Sequence, residues 1–167
     1  MKTMLDQLSQ YADYHRSARN ITTHLIGIPM IVLALMVLLS RPMWPIDDIN
    51  LTPALVISVA LLLYYLRLHV VFGLIMSALF GLGLWFGAWV ASLDDPTWLS
   101  VGIGGFVLGW IIQFVGHYFE GRKPAFMDDV MGLAIGPLFV VAEVIFKLGA
   151  FTELSRAIEE RVGPVRP

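Results

Sequence analysis

Residues 11–40 read YADYHRSARNITTHLIGIPMIVLALMVLLS, a polar segment that passes directly into an apolar one. The polar part carries two of the chain's four histidines, His15 and His24, with Asn20 between them. The apolar part, residues 21–40, is about as long as the roughly 20 residues that a membrane-spanning helix needs. The stretch therefore predicts a membrane helix whose entrance carries histidines.

Composition places the whole chain in the membrane class. Of its 167 residues, 57% are hydrophobic and 14% are charged, whereas soluble domains average about 45–50% and about 25%. The net charge of −2, without a basic cluster, argues against a nucleic-acid partner. The absence of cysteine excludes disulfides, thiolate catalysis and thiolate metal sites. We therefore predict one integral-membrane domain over residues 1–167.

Apolar runs predict a polytopic, all-α bundle of four to five spans. The predicted spans are residues 21–40, 51–68, 70–93 and 98–118. A further run, 130–149, is interrupted by Gly136-Pro137, so the sequence leaves open whether it spans the membrane, re-enters it or lies at its surface.

The flanking segments are polar or mixed. An apolar stripe of Met4, Leu5, Leu8 and Tyr11 predicts an interfacial helix within residues 1–20. Residues 41–50 read as a loop. After Phe151 the chain is charged and compatible with a helix, and its proline-rich end is expected to fray.

Positive charge assigns a sidedness to this bundle. If the N-terminus is cytoplasmic, the inner connections carry Arg16, Arg19, Arg67, Arg122 and Lys123. The outer loops then carry Arg41 together with Asp47, Asp48, Asp94 and Asp95. This distribution follows the positive-inside rule, and in a bacterium it would place the protein in the inner membrane. The same topology puts all four histidines at the cytoplasmic face: His15, His24, His69 and His117.

A shared metal site is one interpretation of these histidines, because imidazole ligands without thiolate suit Zn, Cu, Fe or Ni. His15 and His24 are nine positions apart, which is about 180° around a straight helix. A common ion therefore requires a bend, which we predict at Asn20–Thr23. Asn20 is four positions before His24 and is therefore spaced to face it. Glu120 lies on the same helical face as His117, where it would ligate the metal or orient the His117 ring.

Two alternatives remain open at this point. In the first, the histidines lie singly at the interface of a non-enzymatic scaffold or lipid-binding protein, with Tyr14, Tyr118 and the five tryptophans forming an aromatic belt. A metal or proton conductor is the other alternative. It expects ionisable residues deep within the spans, and the spans before residue 130 carry almost none.

Two motifs resemble those of the Mpo-type membrane protein family. The first is Tyr11-x3-His15-x4-Asn20-x3-His24-x2-Gly27-x-Pro29. The second is Gln113-x2-Gly116-His117-x2-Glu120-Gly121-Arg122-x-Pro124-Ala125. Both occur in the family's order, separated by apolar runs, so the resemblance covers nearly the whole chain.

This resemblance implies an Fe(II)-dependent dioxygenase of fatty acid alpha-oxidation. Such an enzyme cleaves the C1–C2 bond of a 2-hydroxy fatty acid with O₂, giving the acid one carbon shorter and CO₂. The reaction requires no protein nucleophile. Four histidines are too few for the eight-histidine di-iron pattern of membrane desaturases, so we expect a mononuclear non-haem iron. The enzyme's partners would be the fatty acid, O₂ and membrane lipid. A second copy of the chain, in a homo-oligomer, is a further partner that we consider.

The resemblance also implies roles for single residues. His15, His24 and His117 carry over as metal ligands, and the predicted topology adds His69 as a fourth. Around the metal or the substrate headgroup we expect a further set of polar side chains, namely Asn20, Glu120, Arg19, Arg122, Lys123, Tyr14 and Gln113.

Overall fold

The protein is described here by a computed structural model that covers residues 2–46 and 49–167. Over these residues the helices are α1 (Met4–Asp13), α2 (Ala18–Ser40), α3 (Pro53–Leu68), α4 (Val70–Ala91), α5 (Asp95–Leu99), α6 (Gly105–Glu120), α7 (Gly132–Lys147) and α8 (Thr152–Val162). A π-helical turn, Ser100–Gly104, joins α5 to α6, and a 3₁₀ turn, Ala125–Met127, precedes α7. The predicted all-α class is confirmed.

Where the sequence predicts a plain loop after α2, the chain forms a small antiparallel ribbon. Its strands are β1 (Trp44–Ile46) and β2 (Ile49–Leu51), with Trp44 paired to Leu51. Asp47 and Asp48, which the topology argument uses, lie outside the described residues. The ribbon is too short to change the class of the fold.

Contacts divide the chain into two compact units. The first comprises residues 1–28 and 111–167, and the second comprises residues 29–110. Both α2 and α6 begin in one unit and end in the other. The polar residues of both motifs belong to the first unit, and His69 belongs to the second.

In the first unit, α1 begins at a capping box. The Thr3 hydroxyl accepts from the backbone N–H of Asp6, and the Asp6 carboxylate accepts from the backbone N–H of Thr3. The apolar stripe of α1 buries Met4, Leu8 and Tyr11, and the helix packs against α7 and α8. The predicted N-terminal helix is therefore present, with its apolar face buried within the protein.

The chain breaks between α1 and α2 at residues 14–17, not at the predicted Asn20–Thr23. Asn20 and Thr23 both lie inside α2. The prediction relied on the preference of Asn and Thr for helix caps, but here Thr23 Oγ1 bonds back to the Asn20 carbonyl at 2.7 Å within the helix. The bend that a shared site requires is therefore present, six residues earlier than predicted.

The end of the first unit, which the sequence predicts to fray, forms hydrogen bonds with the segment between α1 and α2. Helix α8 follows α7 after a bend of 116°, with Phe151 in the left-handed region at φ 55°. Residues 163–167, which we call the strap, then return to the α1–α2 break. The Arg166 N–H donates to the Arg16 carbonyl at 2.6 Å, and the Ala18 N–H donates to the Arg166 carbonyl at 2.8 Å.

The second unit is held by close helix contacts at glycines. Helices α3 and α4 form a tight pair, where a Cβ at Gly73 would lie 2.6 Å from Leu66 Cα. A Cβ at Gly87 would lie 2.9 Å from the Met36 carbonyl oxygen of α2. Small residues permit this close approach of backbones in membrane bundles.

Length and composition allow three of the described helical segments to cross a membrane: Ala18–Ser40, Val70–Ala91 and Asp95–Glu120. The predicted span over 51–68 forms the shorter apolar helix α3. Helices α7 and α8 together are compatible with a broken span or a re-entrant loop, so the alternatives for 130–149 persist. Exposed Leu74, Leu82 and Trp85 on α4 fit a surface that faces lipid.

Candidate metal centre

Three histidines from three segments converge in the first unit. His15 comes from the α1–α2 break, His24 from the second turn of α2, and His117 from the last turn of α6. One ring nitrogen from each lies within 4.8 Å of the others, and all three residues are buried. The sequence motifs named these three residues, and the fold brings them together.

Hydrogen bonds fix which nitrogen of two rings faces the cluster. His15 Nδ1 lies 2.7 Å from the Tyr11 carbonyl, and His24 Nδ1 lies 2.9 Å from the Asn20 carbonyl. A carbonyl oxygen only accepts, so each Nδ1 carries the proton and donates it. Each Nε2 is then left with a lone pair, the form in which imidazole ligates a metal.

These two lone pairs face one another. His15 Nε2 and His24 Nε2 are 3.0 Å apart. Two nitrogens bound to one ion at about 2.1 Å, at right angles, would be separated by about 3.0 Å. Without a cation or a proton between them, the two lone pairs repel.

A proton is disfavoured in this position. His15 is fully buried, and this burial lowers the pKa of its imidazole to about 3, because removal from water penalises the charged ring. The arrangement instead fits a metal cation, whose charge all three neutral imidazoles can share.

An aromatic platform fixes the His15 ring. Tyr11 stacks parallel to it, with ring centroids 4.2 Å apart and an interplanar angle of 8°. Phe139 of α7 contacts both rings, 4.9 Å from Tyr11 and 5.7 Å from His15. Tyr11 thus supports His15 twice, through its ring and through its carbonyl.

Glu120 organises the backbone beside the cluster. Its Oε2 accepts from the Ser17 N–H at 2.8 Å and from Asn20 Nδ2 at 3.0 Å. Its Oε1 accepts from the Arg166 guanidinium. With both oxygens occupied, Glu120 orients the segments that carry His15 and His24, and direct ligation would require it to release these partners.

Several buried polar atoms near the cluster have no hydrogen-bond partner among the described residues. They are His117 Nδ1, Asn20 Oδ1 and both amide atoms of Gln113. Gln113 is 3% exposed and precedes His117 by one turn on the buried face of α6. Since buried polar groups are normally paired, these atoms fit a site that receives a metal and a polar ligand.

The predicted headgroup cations differ in their pairing. Arg122 donates to Asp13 Oδ2 at 3.1 Å and lies over the Tyr14 ring, 4.5 Å from its centroid. Lys123 pairs with Asp128, which also accepts from the Tyr14 hydroxyl at 2.8 Å. These two cations and Tyr14 form one polar cluster outside the histidine site.

Arg19 is the exception. It is exposed, and its guanidinium lies 5.6 Å from the Phe119 ring centroid. Within the described part of the chain it has no carboxylate at ion-pair distance. Arg19 and Phe119 immediately precede Asn20 and Glu120, so their contact flanks the hydrogen bond that joins α2 to α6.

His69 lies elsewhere in the chain. It belongs to the second unit, where it separates α3 from α4 in an extended conformation with φ −163° and ψ 118°. Its role as a fourth ligand stays a prediction.

Sequence reasoning missed three residues that shape the site. Ser17 contributes only its backbone N–H, which no side-chain pattern reveals. Arg16, buried beside His15, donates to the Ala12 and Gly163 carbonyls. Arg166 is far away in sequence, and nothing in its neighbourhood signals a partner in α6.

Comparison with known proteins agrees with this geometry. A family model described as 2-hydroxy-palmitic acid dioxygenase Mpo1-like matches residues 1–148. A protein of Saccharomyces cerevisiae named 2-hydroxy-palmitic acid dioxygenase MPO1 is 36% identical over 155 residues, which cover 92% of this chain and 86% of the yeast protein. No solved structure matches the chain. Because the family model spans both histidine motifs and the relative aligns over most of its length, the chain belongs to the Mpo1-like family.

Proposed function

We propose that the protein is a non-haem iron dioxygenase of 2-hydroxy fatty acids. The yeast relative is named for this class of substrate and reaction, which supports an oxidoreductase. The observation that carries the proposal is that the Nε2 atoms of His15 and His24 face each other at 3.0 Å. Both Nε2 atoms are unprotonated, because each ring donates its Nδ1 proton to a backbone carbonyl. Interfacial histidines of a scaffold protein would instead be expected to reach water.

The proposed reaction cleaves the C1–C2 bond of the 2-hydroxy acid. One O₂ and one hydroxy acid give the acid one carbon shorter, CO₂ and water, so four electrons pass from the two substrate carbons to oxygen. Bound Fe(II) would supply the redox chemistry that activates O₂. His15, His24 and His117 would hold it, and His69 remains the proposed fourth ligand.

The chain's own residues orient the reactants. The carbonyls of Tyr11 and Asn20 keep two imidazoles in the ligating tautomer. The unpaired amide of Gln113, one turn from His117, is the group we assign to the substrate's carboxylate or 2-hydroxyl. Binding there would satisfy polar atoms that are costly to leave unpaired in an apolar surrounding.

The substrate's charge and its chain require different surroundings. We assign compensation of the carboxylate charge to Arg19, because Arg122 and Lys123 already pair with Asp13 and Asp128. The acyl chain would lie along the apolar helices, in the hydrocarbon environment of the membrane. The positive-inside distribution supports a cytoplasmic position for the histidines, at the inner membrane if the cell is bacterial.

The test uses protein purified in detergent without metal and then loaded with Fe(II) in the absence of oxygen. Given 2-hydroxypalmitate labelled with ¹³C at C1, followed by O₂, the protein is expected to release labelled CO₂ and pentadecanoic acid. Zn(II)-loaded protein is the control, because zinc binds imidazole but has no redox chemistry. Folded protein that binds Fe(II) and yet forms no shortened acid would overturn the activity.

A further inference from the structure

The strap makes a set of backbone hydrogen bonds with the segment that carries His15. Its Arg166 pairs with Arg16 and Ala18 on either side of Ser17, forming a parallel bridge. The Arg16 guanidinium adds a bond to the Gly163 carbonyl at 2.8 Å. The break between α1 and α2 is thus held from outside by a segment far along the chain.

The Arg166 side chain reaches the same segment by a second route. Its guanidinium pairs with Glu120, whose side chain is completely buried although that of Arg166 is 63% exposed. A buried carboxylate is costly unless it is paired. In the described part of the chain, Arg166 is the cation at ion-pair distance from Glu120.

Glu120 connects Arg166 with the segments that carry His15 and His24. It accepts the N–H of Ser17, two residues after His15, and the side-chain amide of Asn20. The Asn20 carbonyl in turn accepts from His24 Nδ1. Arg166 therefore acts on His15 and His24 through one carboxylate, without touching either ring.

We infer that Arg166 is a positioning residue of the metal site and that the strap sets the separation of His15 and His24. This inference rests on the metal site proposed above. The strap lies beyond residue 148, outside the part of the chain that the family model matches. Without Arg166, the buried Glu120 carboxylate loses its counter-charge, and the Ser17 and Asn20 donors lose a fixed acceptor.

The experiment measures metal affinity in full-length protein by anaerobic titration with Co(II), whose visible absorption reports its ligand geometry. Arg166→Ala is expected to weaken binding by up to about 10-fold, the lower end of the effect of removing a residue bonded directly to a metal ligand, and to alter the spectrum. Arg166→Lys is expected to restore part of the affinity, because it keeps the charge but loses the forked geometry.

Arg161→Ala is the matched control. Arg161 lies in the last turn of α8 and pairs with Asp6 at 2.8 Å, with both side chains substantially exposed. Its removal is expected to leave the Co(II) affinity and spectrum unchanged. Equal effects of Arg166→Ala and Arg161→Ala would overturn the positioning role.

A second measurement needs no metal. Hydrogen exchange at the Ser17 amide in metal-free protein is expected to accelerate in Arg166→Ala and not in Arg161→Ala. Unchanged exchange would overturn the role of the strap even if metal binding holds. If wild-type protein binds no Co(II) or Fe(II), the proposed function fails and the positioning role fails with it, whereas weak binding by Arg166→Ala alone supports both.

Discussion

The two units of this protein are stabilised by different chemistry. In residues 29–110, helices approach through glycines such as Gly83 and Gly87, whose Cβ atoms would collide with Met36. In the other unit, imidazoles, amides and a carboxylate are buried together and bonded to one another. Since burying polar groups is costly, the buried polar groups of the first unit call for a functional explanation, which agrees with the metal site proposed there.

The largest effect is expected from the histidines themselves. His15→Ala, His24→Ala or His117→Ala removes a proposed ligand atom, so the iron content should fall to background. Turnover of 2-hydroxypalmitate should fall by more than about 100-fold, which is the upper end of the effect of losing a residue that only supports a ligand. Insertion into the membrane should persist. Iron content and product formation, measured on the same preparation, check this.

His69→Ala is the matched change in the other unit. As the proposed fourth ligand, His69 should also lower iron content and turnover when replaced. Full iron and full turnover in His69→Ala would remove it from the site and confine the metal chemistry to the first unit.

Close-contact glycines provide the next comparison. A Cβ at Gly116 would overlap Thr23 Oγ1 and lie 2.7 Å from Asn20 Oδ1, so Gly116→Ala should cost about 1–3 kcal/mol of stability and also weaken metal binding. Gly87→Ala should cost stability alone. Thermal unfolding without metal, together with Co(II) affinity, separates the two effects.

Gly81→Ala serves as the neutral reference, because its Cβ would have no neighbour within 4 Å. The substitution should leave the Co(II) affinity unchanged, and it should leave the thermal stability unchanged or raise it slightly by stabilising helix α4. If Gly87→Ala weakened metal binding as much as Gly116→Ala, the expectation that glycine contacts in the second unit affect stability alone would be wrong.

A smaller effect is expected at Gln113. Gln113→Leu replaces two unpaired buried atoms by an apolar side chain, so the metal-free protein should be as stable as wild type or more so. Its kcat/KM for 2-hydroxypalmitate should fall about 10–100-fold, as expected for losing a hydrogen bond to a charged group of about 1.5–3 kcal/mol. Unchanged kcat/KM with unchanged metal content would remove Gln113 from substrate binding.

The smallest effect concerns surface charge. Arg19→Ala should raise KM up to about fivefold, since an exposed charge pair contributes up to about 1 kcal/mol. Arg122→Ala should change KM less, because Asp13 already pairs with Arg122. Steady-state kinetics in uncharged detergent measure both, and a larger effect of Arg122→Ala would reverse the assignment.

The sequence predicts most of the helices and the membership of the histidine cluster. Apolar runs of membrane length determine α2 and α4 with little tertiary help. The resemblance of the two motifs to those of the Mpo-type family nominates His15, His24 and His117. The nine-residue spacing of His15 and His24, together with the hypothesis of a shared ion, also predicts a bend between them, which is present.

Local sequence patterns do not predict the position of the bend. Residues 14–17 contain no glycine or proline, and the break there is stabilised by Glu120 and Arg166, which are distant in sequence. Asn20 was expected to face His24 with its side chain. Instead its carbonyl holds His24, and its amide bonds to Glu120.

The strap also bears on the order in which the protein is built. The bond from Arg16 to Gly163 joins residues 147 positions apart, and the strap leaves the ribosome after the helices α1 to α8. Closing so long a loop is slow relative to forming local helices. The strap can therefore pair with the α1–α2 break only after these helices have been made, so the arrangement of His15 and His24 is among the last parts of the first unit to be completed.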